Sequence, residues 1–173
     1  VFVKMNLAIP LFDSLTQSGY SNISSNSAIS ESIVRLRIYP EIAELEDGWP
    51  FAVKAVSMFM DADPEIDKNT LYIGDEVEVS LNQNNELYID YPLLPPSGDK
   101  VSRLHEVVGI SLSDILFVED EEELEDLAFL VDGRIVLIGE VAEVAHDEFE
   151  TPVGNVYGVS IIASTIATIL RSG

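Results

Sequence analysis

The stretch Gly133–Gly173, GRIVLIGEVAEVAHDEFETPVGNVYGVSIIASTIATILRSG, decides how the rest of the chain is read. It divides into three parts. Arg134–Gly139 contains the run Ile135–Ile138, apolar on both faces, which predicts a central strand covered on both sides. Glu140–Val156 reads as an acidic loop leaving the carboxyl end of that strand, where open α/β sheets often place ligands. Val159–Leu170 predicts a helix with Val159, Ile162, Ile166 and Ile169 on one face, while Ile161, Ala163 and Ala167 leave few polar positions elsewhere. A helix apolar nearly all round is expected to be covered on more than one side, here by the sheet and by further chain or a second subunit. Thr151–Leu170 runs 20 residues without a charge, which raises the question of a membrane span. Pro152, Gly154, Asn155 and Gly158 interrupt its start, and the uninterrupted helical part falls short of the roughly 20 residues that spanning needs. The stretch is therefore read as a buried globular helix, and the chain as containing no membrane span.

Outward from this stretch the pattern is that of an α/β (or α+β) domain with a mixed, partly antiparallel sheet and several helices. Val1–Val3 reads as the tail of a strand. Leu7, Leu11, Phe12 and Leu15 read as a helix capped by Gly19. Ser24–Ser32 is a Ser/Asn-rich loop. Ile33–Tyr39 alternates, with Ile33, Arg35 and Arg37 on a wet side and Val34, Leu36 and Ile38 on the other. Pro50 opens a helix whose buried face is expected to be Phe51, Ala52, Ala55, Val56 and Phe59, with Trp49 stapling its start. Asp61–Thr70 reads as an acidic turn region. Leu71–Ile73 and Glu76–Leu81 flank the turn pair Gly74-Asp75, and Glu86–Tyr91 follows the polar turn Asn82–Asn85, so that 71–91 is a candidate small antiparallel lobe. Pro92–Lys100 is a loop. Ser111 and Asp114 have capping-box spacing before a short helix. A second helix at Glu119–Val131 has an acidic first turn and a stripe of Leu124, Leu127, Ala128 and Val131.

The 173 residues suit one domain, 1–173, and an apolar fraction of 47% suits a folded core. Thirty-one acids against nine bases give a net charge of −22. Nucleic acid is thereby a poor partner, since phosphate binding needs a basic footprint, and anionic lipid is disfavoured for the same reason. With no cysteine there is neither a disulfide nor a thiolate metal site. The chain opens on Val1 with no initiator Met and reads as cut from something longer.

Little in the sequence carries chemistry of its own. Asp61, Asp63, Glu65 and Asp67 echo the first half of a calcium loop, but Ile66 stands where its glycine belongs and Tyr72 where its last acid belongs, so an EF-hand is excluded. The two histidines, His105 and His146, cannot build a three-histidine site. His146 with Asp147, Glu143 and Glu150 is the one metal-like grouping, and a plain surface loop is the preferred reading of it. No phosphate loop, dinucleotide fingerprint or nucleophile elbow occurs, and Ser160 after Gly158 is read as a helix-capping residue. No catalytic residue, metal or cofactor is assigned.

One family does match these residues. Arg134–Gly139 (RIVLIG), Asp147, Thr151-Pro152, Gly158-Val159, Ile161, Ala163 and Ile169-Leu170 resemble the C-terminal signature of the type-two CHASE domain, the cyclase- and histidine-kinase-associated sensory extracellular domain. Upstream, Gly19–Ile23, Arg35, Trp49-Pro50-Phe51, Leu87–Tyr91 and Ser111–Leu116 are collinear with it. Where relatives carry Glu, His and Asn at the start of the last helix, this chain has Ser160, Ile162 and Ser164, and Glu140 replaces a small residue. The opening strand–helix–strand of the family is not apparent, so the chain reads as a C-terminal portion of that domain. The resemblance implies a sensory module on the extracytoplasmic side of a membrane-tethered cyclase or kinase, itself not an enzyme, with an unknown small molecule or protein as its signal. Its candidate ligand-loop or motif residues are Gly139, His146, Asp147, Thr151, Pro152, Gly158 and Ser160. The rival expectation is a structural or homodimerisation module of a membrane receptor that binds no ligand.

Overall fold

The computed structural model describes residues 19, 32–38, 48–91, 110–139 and 147–172. In chain order the elements are β1 (Arg35–Arg37), α1 (Phe51–Met60), β2 (Pro64–Asp67), β3 (Thr70–Ile73), β4 (Val77–Ser80), β5 (Glu86–Tyr88), α2 (Leu112–Leu116), α3 (Glu121–Val131), β6 (Glu148–Thr151), β7 (Gly154–Tyr157) and α4 (Gly158–Leu170). Helices and antiparallel ladders thus occur together, as expected for the class. The described strands form three small antiparallel ladders: β1–β5, β2–β3–β4 and β6–β7. The readings of 1–18, 20–31, 39–47, 92–109 and 140–146 lie outside the described residues.

The meander β2–β3–β4 follows directly from alternation. Leu71 faces Val79 and Ile73 faces Val77 across the ladder, and all four are buried, whereas Glu78 and Ser80 point to solvent. Gly74 supplies the positive φ (59°) that the β3–β4 turn needs. The apolar face of the meander meets Val53 and Val56 of α1 and Ile166 and Ile169 of α4, and Leu87 of β5 with Ile38 just after β1 closes the same core. A second, smaller core joins Ile33, Ile89 and Ile161, with Tyr91, Phe149 and Val156 packed against it.

Helix α4 is buried along most of its circumference, as its sequence predicts: Ile161, Ser164, Thr165, Ile166, Ala167, Thr168 and Ile169 are all buried. Its polar residues are accommodated because Thr165 and Thr168 donate to the carbonyls of Ile161 and Ser164 one turn back, at 2.8 and 2.7 Å. Its main cover is α1. No helix among the described residues is long and apolar enough to cross a membrane.

Several expectations are corrected. The buried face of α1 is Ala52, Val53, Val56 and Ser57, whereas Phe51 and Phe59 are exposed with Met58, because the core lies on the opposite side of the helix. Segment 61–70 is not all turn. Pro64–Asp67 is a strand whose Pro64 and Ile66 face inward between exposed acids, and Pro64 sits at its first position on an edge. Ile33 is buried, although it alternates in step with Arg35 and Arg37. The capping box at Ser111 does not form; Ser111 Oγ instead lies 2.6 Å from Ser113 Oγ. The second expected helix does start on an acidic turn, with Asp120 accepting from the Glu122 amide at 2.8 Å. No residue of α3 is buried, however, and Leu124 and Val131 are exposed. Gly133 (φ 64°) makes the expected turn, but residues 134–139 join no ladder among the described residues. Ile135 and Leu137 pack on the main core while Val136 and Ile138 are exposed, so only one face is covered.

The one buried acid among the described residues is Glu86, 6% exposed, on β5. Its Oε2 accepts from Arg35 at 2.9 Å and from Asn82 Nδ2 at 2.7 Å, and the Arg35 guanidinium also lies over the Tyr88 ring, 4.9 Å from its centroid. Burial alone pushes the Glu86 carboxyl up. The hydrogen bonds from Asn82 and Arg35, with the charges of Arg35 and Arg37, outweigh burial and hold it below the usual glutamate range. Its stabilising contribution is therefore present above about pH 4.3, the unfolded value, and lost as pH falls through the lowered folded value. Glu86→Gln is expected to be less stable than the parent at neutral pH and to lose less stability on acidification. Urea midpoints at about pH 7 and about pH 3 measure this, and an unchanged difference between the two proteins would remove that role from Glu86.

Tyr91 behaves in the opposite sense. Its ring is half-buried in the small core, and its hydroxyl is buried with no hydrogen-bond partner among the described residues. Burial pushes the phenol up to about 12. The fold holds the neutral form, so this contribution is intact below about pH 10, the unfolded value, and lost as pH rises through the raised folded value. Tyr91→Phe removes an unpaired buried hydroxyl and is expected to raise stability by about 1 kcal/mol at neutral pH and to flatten the alkaline loss. Thermal melts across that range check both parts.

Candidate functional site

The candidate residues are placed by the first turn of α4 and by the hairpin that leads into it. The acidic loop expected at 140–156 is in part a β-hairpin, with Glu148 opposite Tyr157 and Thr151 opposite Gly154. The alternation of Glu148 and Glu150 with Phe149 is its signal: Phe149 and Val156 turn toward the small core while the two acids stay exposed. Thr151 is buried at the tip. Its hydroxyl donates to the Gly154 carbonyl at 2.6 Å and accepts from the Val153 amide at 3.3 Å, so the side chain closes the turn. Pro152 is exposed at the turn, and Gly154 adopts a positive φ of 106°.

At the other end of the hairpin, three motif residues meet α4. The Gly158 amide donates to the Asp147 carbonyl at 2.9 Å. A Cβ built on Gly158 would lie 2.6 Å from Asp147 Oδ2, so the carboxylate rests against the first residue of the helix, near the positive end of its dipole. A Cβ built on Gly139 would lie 2.6 Å from Val159 Cβ, so the end of segment 134–139 is pressed onto the same turn. Gly19 makes a similar approach to α1, where its Cβ would be 2.8 Å from Phe51 Cα. Ser160 is exposed on α4, and no side-chain hydrogen bond caps that helix. His146 lies outside the described residues.

The structure therefore brings Gly139, Asp147 and Gly158 together around the start of α4 and sets Thr151-Pro152 apart from them. Asp147 and Thr151 are four residue steps apart along β6, roughly 13 Å of extended chain. Among the described residues no three Asp, Glu or His side chains converge as a metal would need. The acids of 61–67 are divided between the C-cap of α1, where Asp61 is left-handed, and the exposed side of β2. A shallow open hollow lined by Val118, Glu119, Asp120, Glu121 and Leu124 lies at the start of α3, and none of the motif residues lines it.

Reading by residue type misses the groups that tie the hairpin and α4 to the sheets. The Ile33 amide donates to the Glu150 carbonyl at 2.7 Å, and the Asp90 amide donates to Thr168 Oγ1 at 3.0 Å. These are backbone donors whose partners depend on register, and sequence spacing carries no signal for them.

The two glycine contacts differ in kind. At Gly158 the obstacle is the far end of a side chain that can swing away, whereas at Gly139 it is a Cβ fixed to helix backbone. Gly139→Ala is expected to cost about 1–3 kcal/mol by overpacking, and Gly158→Ala less. Urea denaturation of the two variants measures the order, and the reverse order would show that the Asp147 carboxylate is the tighter constraint.

No curated protein and no solved structure matches the chain. The family model described as CHASE2 domain matches residues 3–173, so the likeness is not confined to the last 41 residues in which its motifs are densest. With a match of that extent, the chain belongs to the CHASE2 domain family, an extracellular sensory, non-catalytic family of membrane signalling proteins.

Proposed function

We propose that this chain is the extracytoplasmic signal-input domain of a transmembrane signalling protein such as a nucleotide cyclase or a sensor kinase. The observation that carries the reading is the family match over residues 3–173. The arrangement of α4 supports it. The helix begins where Gly139, Asp147 and Gly158 meet, runs through the main core, and ends at Leu170. A change at its start is thereby in a position to bias a two-state arrangement read out at its end. In this reading α4 leads toward a membrane helix, any enzymatic effector lies outside the chain, and the domain itself performs no chemistry. Its signal is a small molecule or protein that contacts the start of α4 or the hairpin before it.

Sidedness tests the reading. This chain has no cysteine, so a single one can be introduced at an exposed turn position such as Glu76. In the full-length protein in intact cells, Glu76→Cys is expected to react with a membrane-impermeant maleimide while the parent gives no matching label. Labelling only after the membrane is permeabilised would refute an extracytoplasmic location.

A further inference from the structure

The β6–β7 hairpin and the C-terminal end of α4 lie at opposite ends of one unbroken set of contacts. From the hairpin, the Glu150 carbonyl accepts from the Ile33 amide at 2.7 Å. The next residue, Val34, accepts from the Ile89 amide at 3.0 Å. The residue after Ile89 is Asp90, whose amide donates to Thr168 Oγ1 at 3.0 Å and whose carboxylate meets Arg171 Nη1 at 3.2 Å. The small core lies along the same path, since Phe149 of the hairpin, Ile33, Ile89 and Ile161 of α4 belong to it.

The far end of this path is weakly held. Arg171 and Asp90 are 40% and 70% exposed, and an ion pair so open to water contributes little. One neutral hydrogen bond, from the Asp90 amide to Thr168, completes the attachment. By contrast Ile169, a single residue further along α4, is fully buried in the main core. The attachment of Asp90 can therefore open without unpacking the helix.

We propose that Asp90 is a releasable clasp on the end of α4, and that the state of the Thr151–Gly154 turn sets whether it is closed. This rests on the reading of α4 as the output helix and assigns the device by which a signal at the hairpin reaches it. A hairpin displaced by ligand moves Glu150, and with it Ile33, Val34 and Ile89, and so loosens or tightens the hold of Asp90 on Thr168.

Amide hydrogen exchange followed residue by residue in this chain tests the device without any membrane, so its failure is distinct from a failure of the topology experiment. Thr168→Val removes the acceptor and is expected to speed exchange at the Asp90 amide about ten-fold, with Leu71 and Val79 in the meander unchanged. Thr151→Val opens the hairpin turn and is expected to speed exchange at Asp90 as well as at Val153. The double variant is expected to show less than the product of the two effects, as coupled sites do. Should Thr168→Val fail to fold, Asp90→Asn removes only the surface ion pair and is expected to speed exchange at Arg171 and Ser172 about two- to five-fold. Asp90 protection unmoved by Thr151→Val, or exchange at α4's end unmoved by both of the other variants, would overturn the proposal.

Discussion

The covering of α4 is the constraint on which the other elements depend. Between Gly158 and Leu170 the helix carries no charge, and its only polar groups are Ser and Thr. Each isoleucine removed from water, Ile161, Ile166 and Ile169 among them, stabilises the fold by about 1.5–3 kcal/mol. Collecting that stabilisation needs apolar surface on several sides at once. Helix α1 supplies one side through Val53 and Val56, the meander supplies another through Leu71, Ile73, Val77 and Val79, and Ile38 and Leu87 fill the margin. The hydroxyls of Thr165 and Thr168 do not oppose burial, because each finds a carbonyl one turn earlier. A spanning helix would use the same composition differently, with lipid in place of these covers. At 13 residues α4 is well short of the roughly 20 that a bilayer needs.

Elements whose pattern is local were legible in the sequence. The β3–β4 hairpin around Gly74-Asp75, the helix opening after Pro50, the turn at Gly133 and the all-round apolar α4 follow from alternation, proline, glycine and period. What failed depends on partners. Ile135–Ile138 is apolar at every position, yet covering for only one face is present among the described residues, so composition overstated its burial. The stripe on α3 is real as a pattern, yet none of its residues is buried and only Leu127 is half-buried. Helical spacing groups Phe51 and Phe59 with Ala52, Ala55 and Val56, while the buried side of α1 is Ala52, Val53, Val56 and Ser57. Of the two hairpin strands that read as loop, β6 is masked by Glu148 and Glu150, whose alternation with Phe149 is its signal, and β7 by its turn-like opening Gly154-Asn155. Of the candidate site, sequence supplied the residues but not their grouping, because the meeting of Gly139 with Val159 and of Asp147 with Gly158 is a tertiary fact.

The net charge of −22 is accommodated by keeping acids at alternate strand positions and in the first turn of α3. Glu86 departs from this pattern and is buried, and a buried carboxylate is tolerated only when paired and hydrogen-bonded. Arg35 and Asn82 meet that requirement, Arg35 from β1 across the ladder and Asn82 from the turn before β5. Beyond this ladder the chain continues to Ile89, which enters the small core, and to Asp90, whose amide donates to Thr168 Oγ1.

Several of the residues that carry the resemblance to the CHASE2 domain prove to be packing residues. Gly139 and Gly158 sit where a side chain has no room, Asp147 lies against the first turn of α4, Thr151 closes the hairpin with its own hydroxyl, and Gly19 presses on the start of α1. Each fixes how α4 is entered or what lies beside it. The positions at which this chain departs from the family are of another kind. Ser160 is exposed, Ile162 packs on the main core and Ser164 is buried within it, so only Ser160 presents a polar group outward at the start of the helix.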